Sequence, residues 1–286
     1  MKNLFLAIIT FLGVETFLIA QPNLSIEQNQ DSLLNLFTKL VAEKDDSTKL
    51  EINKQIIGRF EETLKNPESF SFSFDKLKNI SRLKSQDGLV QIINWNIEFT
   101  NGEFLYFGFV QHLNNKKQVK LYTLTDQSQN ISNPLTSVLS EKKWYGALYY
   151  KILTNSWKKN TYYTLLGWDG NTIFTNKKLI EIMSFEGEKL VFGPPIIKME
   201  NTVQNRLIFE YAEQAKMMVR YDEKLDLVVW DHLAPSQPNF KNQYMYYGPD
   251  LSQDGMKFKD GYWNFKANLD LRNMEKSTGK SIKKSF

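Results

Sequence analysis

Cysteine is absent from the 286 residues. That excludes a disulfide framework, a thiol nucleophile, thiolate metal sites and a lipid carried on an amino-terminal cysteine. Histidine is nearly absent, with only His112 and His232. A zinc site would need both plus a carboxylate from elsewhere, and neither stands in an H-E-x-x-H or H-x-H arrangement, so no metal ligand set is read. The chain also lacks G-x-S-x-G and G-x-G-x-x-G, and Thr278-Gly279-Lys280-Ser281 matches only the last part of a phosphate-cradling loop. No cofactor is expected.

Long apolar runs are missing after residue 20. The first twenty residues, MKNLFLAIITFLGVETFLIA, read as an export leader. Lys2 is a short positive start, Leu4 to Val14 an apolar run, and Ala20 a small residue at which cleavage is expected. Glu15 and the shortness of the run argue against a retained membrane span. The mature chain is therefore expected to be periplasmic or secreted, with no membrane span after cleavage.

A charge excess is also missing from the body of the protein. The net charge is +4, and Arg272, Lys276, Lys280, Lys283 and Lys284 against Glu275 account for it. Residues 272–286 thus form a basic tail on a nearly neutral body, which does not fit a nucleic-acid groove. A solvated terminus is the plain reading of that tail, and contact with an anionic surface the other.

What the chain does have is periodic apolar patterning. Residues 21–67 form the helical front. Leu33, Leu34, Leu36, Phe37, Leu40 and Val41 make one helical stripe after a polar lead-in over 21–30, and Leu50, Ile56, Ile57, Phe60 and Leu64 make a second. Thr48 with Glu51 reads as the capping box of the second helix. Over 68–271 the period is two, beginning with SFSFDKL, LVQIINWNIEF, EFLYFGFV and VKLYTL. Asn101-Gly102 is a strong hairpin signal. Asn133-Pro134 is expected to open a short helix through about Lys142. Seven further strand candidates follow, from WYGALYYKIL to LDLVVWDHL, and beyond Pro235 the chain reads as irregular until a last strand around Tyr262-Trp263. Short connections favour an antiparallel meander: a mainly β fold with a curved sheet, sandwich or open barrel behind a helical pair.

Four of six tryptophans precede Asn or Asp: Trp95-Asn96, Trp168-Asp169, Trp230-Asp231 and Trp263-Asn264. Ser-Gln-Asp-Gly also occurs twice, at 85–88 and 252–255. Both suggest propeller blades, but the tryptophan spacings have no fixed period, so an irregular β-propeller is only the alternative fold.

The site candidates are correspondingly diffuse. His232 beside Asp231 stands where an apolar strand leaves the sheet, and these two are the catalytic candidates. Adjacent strand residues face opposite ways, so Asp231 does not automatically orient His232. Trp168, Asp169, Trp230, Tyr247 and Asp250 are the ligand-binding candidates. A glycosidase pair would come from distant acids, and Glu98, Glu103, Glu181, Glu210, Asp169 and Asp231 all qualify without any pair being selected. The adjacent pairs Tyr149-Tyr150, Tyr162-Tyr163 and Tyr246-Tyr247 each send one ring out of the core, towards covering helices, long loops or a binding surface.

The leader ending in Ala20-Gln21, with WYGALYYKIL, YYTLLGWDGN, VFGPPI, RLIFEYA, VRYDEKLDLVVWDHLAP and YYGPD, resembles uncharacterised exported proteins common in Bacteroidota. The resemblance spans about 68–272 and implies an envelope compartment, with no activity attached. The expectation is a non-enzymatic envelope protein that binds a partner protein or a ligand such as a glycan through an aromatic-rich face. A secreted hydrolase acting on glycans is the alternative, and a lipid carrier would require an apolar cavity between sheet and helices.

Overall fold

The structure, a computed structural model, describes residues 24–114 and 118–270. The expected leader and the basic tail lie outside the described residues. The fold is mainly β, with two helices in front of three sheets stacked in layers.

Helix α1 (Ile26–Ala42) begins inside the stretch read as a polar lead-in. The reason is a capping box: Ser25 accepts from the Gln28 amide, and the Gln28 side chain reaches back to the Ser25 amide. Helix α2 (Asp46–Lys65) is capped by Asp45, which accepts the Thr48 amide, so the expected Thr48–Glu51 box is displaced by three residues. A carboxylate is a stronger acceptor at the positive end of a helix than a threonine hydroxyl.

The first sheet is β1 (Ser81–Lys84), β2 (Val90–Glu98), β3 (Phe104–Leu113) and β4 (Val119–Thr125), in that order and antiparallel. Period-two alternation sends Ile93, Trp95, Ile97 and Phe109 to the helices, where they meet Phe37 and Phe60. The Trp95 indole, fully buried, donates to Asn53 on α2 at 2.7 Å. SFSFDKL is not a strand. It forms a turn and a loop in which Phe74 takes φ +54° and buries its ring beside Phe60 and Phe72, closing the mouth of this layer.

The opposite face of the first sheet carries Val90, Ile92, Tyr106, Val110 and Leu124 onto the second sheet. That sheet is β11 (Arg206–Ala212), β7 (Thr175–Glu186), β6 (Asn160–Asp169) and β5 (Leu148–Trp157), with β8 (Lys189–Phe192) paired to β7. Its other face packs Leu166, Ile180, Ile182 and Leu207 against the third sheet. The third sheet runs β10 (Val203–Gln204), β9 (Ile197–Lys198), β15 (Tyr262–Lys266), β14 (Tyr247–Lys259), β13 (Leu227–Pro235) and β12 (Val219–Asp222). One sheet of the fold is curled like half a barrel. Among the described residues β15 pairs with β9 in parallel, and an isolated bridge between Asp126 and Trp144 is parallel as well.

The tyrosine pairs follow from this stacking. Tyr149 and Tyr163 face the first sheet, whereas Tyr150 and Tyr162 reach the third, the Tyr150 hydroxyl donating to the Val219 carbonyl at 2.9 Å. A second sheet, and not the helices, covers the outer face of the central one.

Two expectations fail for chemical reasons. The helix after Pro134 does not form beyond a turn and a short 3-10 segment at Glu141–Lys143. Its carbonyls are taken instead: Arg206 donates to those of Pro134 and Ser137. The region beyond Pro235, read as irregular, contains β14, the longest strand in the structure. Gly255 is buried in it because Leu269 crosses directly over the position, where an added Cβ would meet its side chain at 2.6 Å.

Candidate functional site

Antiparallel register brings many turns to one rim. The β2–β3 hairpin touches the β6–β7 loop: Gly102 packs on Ile173, and Gly170 packs on the Phe104 ring. The β6–β7 loop touches the end of β11, where the Glu213 amide donates to the Phe174 carbonyl at 2.9 Å. The following loop meets the third sheet through Met218, whose amide donates to Asp231 at 2.8 Å, and through Ala215 against Gly248. Trp95, Trp168 and Trp230 lie towards this rim on strands that end there. Trp263 starts β15 and lies towards the other end.

Trp168-Asp169-Gly170 closes β6, and the return strand begins at Thr175. Asp169 is buried at 7% exposure and does more than turn the chain. It accepts the Tyr106 hydroxyl at 3.0 Å and the Asn171 amide at 2.8 Å, and the same hydroxyl accepts the Gly170 amide. The first two sheets are thereby pinned together at the rim. Trp168 sits edge-on to Phe104, ring centroids 5.4 Å apart. Glu210 joins through Asn171 and Thr175, and Lys177 donates to Asn171 at 2.6 Å. Burial pushes the Asp169 carboxyl above its ordinary range, against the opposing pull of Lys177. Burial likewise raises Asp126, which accepts the Tyr106 and Ser128 amides.

These shifts have a sign. A carboxyl with a raised folded pKa keeps a proton that the unfolded chain has already released. Its stabilising contribution is full below the ordinary value of 3.8 and is lost as pH climbs through the raised folded value. Asp169→Asn keeps an oxygen for Tyr106 and Asn171 without the buried charge. Thermal melts from pH 4 to 8 should show it at least as stable as wild type at neutral pH, by up to about 1 kcal/mol, with a flatter pH slope. A loss of more than that at pH 7 would mean that the charge itself is needed.

At the third sheet the expected neighbours separate. Asp231 accepts Met218 and the Gln253 side chain and leaves His232 alone. A bulge between Asp231 and Leu233 re-aims His232, and its Nδ1 meets Asp254 at 2.8 Å. Asp254 is buried, and its other oxygen accepts the Asn268 amide at 3.0 Å. A carboxylate can only accept, so Nδ1 carries the proton and Nε2 faces outward, 4.0 Å from Asp250. Asp250 is held below the usual carboxylate range by the Ser252 hydroxyl and amide. This is the orienter–base arrangement of an acid–base pair. The Ser252 hydroxyl donates to Asp250 at 2.6 Å. Among the described residues no cluster of three or more His, Asp or Glu side chains is arranged to hold a metal ion.

The remaining candidates divide by burial. Trp230 is core, 2% exposed, between Phe209 and Phe265. Tyr247 is half-buried, accepts the Asn242 amide at 2.9 Å, and leads into a lip that sequence reading reached only through the Tyr246-Tyr247 pair. Tyr244, Met245 and Tyr246 are exposed, Phe240 stacks on Tyr246 at 4.1 Å, and Leu251 is 98% exposed at φ +75°. The lip adjoins His232, because Pro235 pairs with Tyr247 and Leu233 with Pro249.

Glu98 and Glu103 are solvent-exposed and join no other acid in a hydrogen-bonded group among the described residues. Glu181 is fully buried and paired with Arg206 at 2.7 Å, a partner that periodicity did not single out. Arg206 and Glu181 stand directly opposite across β11 and β7, a register that only the pairing of the two strands sets. The lipid-carrier reading requires an apolar cavity between the helices and the first sheet. The cleft at that edge, about 360 Å³, is lined by Glu43, Lys49, Asn79 and Glu98 as well as Leu40. No helix among the described residues is long and apolar enough to cross a membrane. No family model, curated protein or solved structure matches this chain.

Proposed function

We propose that this is a non-enzymatic binding protein of the cell envelope, exported by its first twenty residues, that holds a partner protein on the lip formed by Tyr244, Met245, Tyr246 and Leu251. The observation that carries the reading is Leu251. A leucine held almost fully in water, in a left-handed backbone conformation that costs energy for a branched side chain, does not serve the packing of the described residues. Five and seven residues earlier in the same stretch of chain stand the exposed Tyr246 and Tyr244, which bring large contact area at low entropic cost. Exposed apolar clusters rimmed by polar groups mark interaction sites.

Replacing Tyr244, Tyr246 and Leu251 together by Ser should leave the melting temperature within about 2 °C of wild type, since surface changes away from core features are nearly neutral. Co-purification from envelope fractions should fall at least about tenfold, the equivalent of one lost anchor residue. Equal recovery by both forms would remove the lip from the proposal. For export, amino-terminal sequencing should begin at Gln21, and a mature chain starting at Met1 would refute it.

The His232–Asp254 pair favours a second reading, a secreted hydrolase acting on glycans. Turnover of glycan by wild type, abolished by His232→Ala and by Asp254→Asn, would replace the binding reading with that one.

A further inference from the structure

Three parts of the molecule outside the lip invite a function. The buried Arg206–Glu181 pair is closed to solvent and serves the core. In the cleft beside Lys49 and Glu98, the Lys49 ammonium is already held by Asp46 and the Glu98 carbonyl. The third is the free edge of the first sheet, strand β4. A strand edge presents a row of backbone groups to any other strand, and proteins usually blunt it. The other edges here are blunted. β1, β8, β10 and β12 have four residues or fewer. β5 is bulged between Tyr149 and Lys151, and β11 lies under the 134–137 loop and the turn at Tyr244–Tyr246. β4 has seven residues, pairs with β3 without a bulge and contains no proline.

Antiparallel pairing alternates which residues face the partner strand. The Asn114 amide donates to the Gln118 carbonyl at 2.9 Å, so Lys120, Tyr122 and Leu124 bond to β3, whereas Val119, Leu121 and Thr123 turn their amides and carbonyls outward. None of these outward groups has a backbone partner among the described residues. The chain itself shows that the edge takes a strand. Trp144 donates to the Thr125 carbonyl at 3.0 Å and accepts the Gln127 amide at 2.8 Å, an isolated parallel bridge at the end of β4. The residues before Trp144 form a 3-10 turn instead of continuing that pairing, and beside Lys120–Thr123 lies a groove of about 680 Å³. Its far wall is made by residues 139–142 and 188–191. The exposed Lys142 and Lys189 stand on that wall, and neither has an ion-pair partner among the described residues. Lys120 does not guard the edge, since its ammonium is tied back to Glu188 at 2.9 Å.

We propose that β4 is an acceptor site for an extended, acidic segment of a partner polypeptide, which adds to the first sheet as a fifth strand. Main-chain hydrogen bonds to Val119, Leu121 and Thr123 hold the segment, and its carboxylates meet Lys142 and Lys189. Five residues of extended chain span about 16 Å, enough to cover the three outward positions. The lip lies in the third sheet, so this contact goes beyond it and does not depend on it.

The probe is a capped octapeptide of alternating threonine and glutamate, added to the full chain and followed by amide hydrogen exchange. Exchange at Val119, Leu121 and Thr123 should slow at least about tenfold, with Lys120 and Tyr122 unchanged because their amides already bond to β3. Methylating the alternate peptide nitrogens that would face β4 should abolish the effect. Lys142→Glu with Lys189→Glu should keep the melting temperature and weaken the peptide at least about tenfold. The lip variant with serine at 244, 246 and 251 should bind it as wild type does, so that loss of envelope capture there bears on the lip alone. Unchanged exchange along β4 with the peptide at about 1 mM, the weak end of specific binding, would overturn the proposal. So would slowing at β5 or β12 instead, or equal binding of the N-methylated peptide or of one with lysine in place of glutamate. Slowing of the same three amides in the protein alone as its concentration rises would also overturn it, by giving the edge to a second copy.

Discussion

Arg206→Ala is expected to lower stability by about 3–5 kcal/mol, the usual cost of breaking a buried ion pair by removing one partner. Both groups are fully buried, and the Glu181 carboxylate receives Arg206 Nε on one oxygen and the Tyr149 hydroxyl on the other. The Trp144 indole donates in turn to that hydroxyl at 2.7 Å. Burial, followed by the Glu181 charge, pushes the tyrosine hydroxyl well above its ordinary value, which keeps it a donor at any working pH. Truncation leaves a carboxylate in the core with one neutral donor. It also releases the Pro134 and Ser137 carbonyls that fold the 133–140 loop over the sheet edge.

Three variants separate the causes. Arg206→Lys should recover little, because one ammonium cannot span Glu181 and the two loop carbonyls as the guanidinium fork does. Glu181→Gln should cost less than Arg206→Ala, since a cation with carbonyl partners remains. The double change Arg206→Met with Glu181→Leu should recover much of the loss, because two apolar groups need no compensation. Urea unfolding with all four proteins measures this. A single Arg206→Ala loss below about 1 kcal/mol would show that the pair is compensated by solvent.

The helices, most strands and the Asn101-Gly102 hairpin were legible because each depends on local periodicity or turn chemistry. What periodicity does not carry is which face meets which layer. The central sheet is apolar on both faces, and β7 contains Leu179, Ile180, Ile182 and Met183 with a buried Glu181 among them. The two Ser-Gln-Asp-Gly copies show the limit sharply. At 85–88 the segment is a hairpin turn, with Asp87 accepting the Ser85 hydroxyl and Leu89 amide. At 252–255 the same four residues are strand, because His232 and the returning 268–269 segment supply partners from distant sequence. Asp254 was invisible for that reason, and so was the basis of the His232 geometry. Asp169 was placed correctly at a turn, but its bond to Tyr106 crosses between sheets and is a property of stacking.

Trp230 is the site candidate for which sequence and structure assign the most different work, and its substitution decides between them. As a ligand platform, Trp230→Ala would weaken binding and leave the fold intact. As core, it removes a ring packed against Phe209 at 5.3 Å and Phe265 at 5.9 Å, and large-to-small changes of this kind cost about 3–5 kcal/mol. In a chain of this size each kcal/mol shifts the melting temperature by about 2–4 °C, so a drop on the order of 10 °C is expected. Trp230→Phe keeps an aromatic ring and should lose less than half of that. The neighbouring Asp231 is tied to Met218 and Gln253, so the register of β13 on β12 and β14 should loosen with the core. Amide exchange at Met218 and Gln253 should quicken in Trp230→Ala before the first sheet is affected, because the two lie in separate layers. An unchanged melting temperature would return Trp230 to the rim as a contact residue.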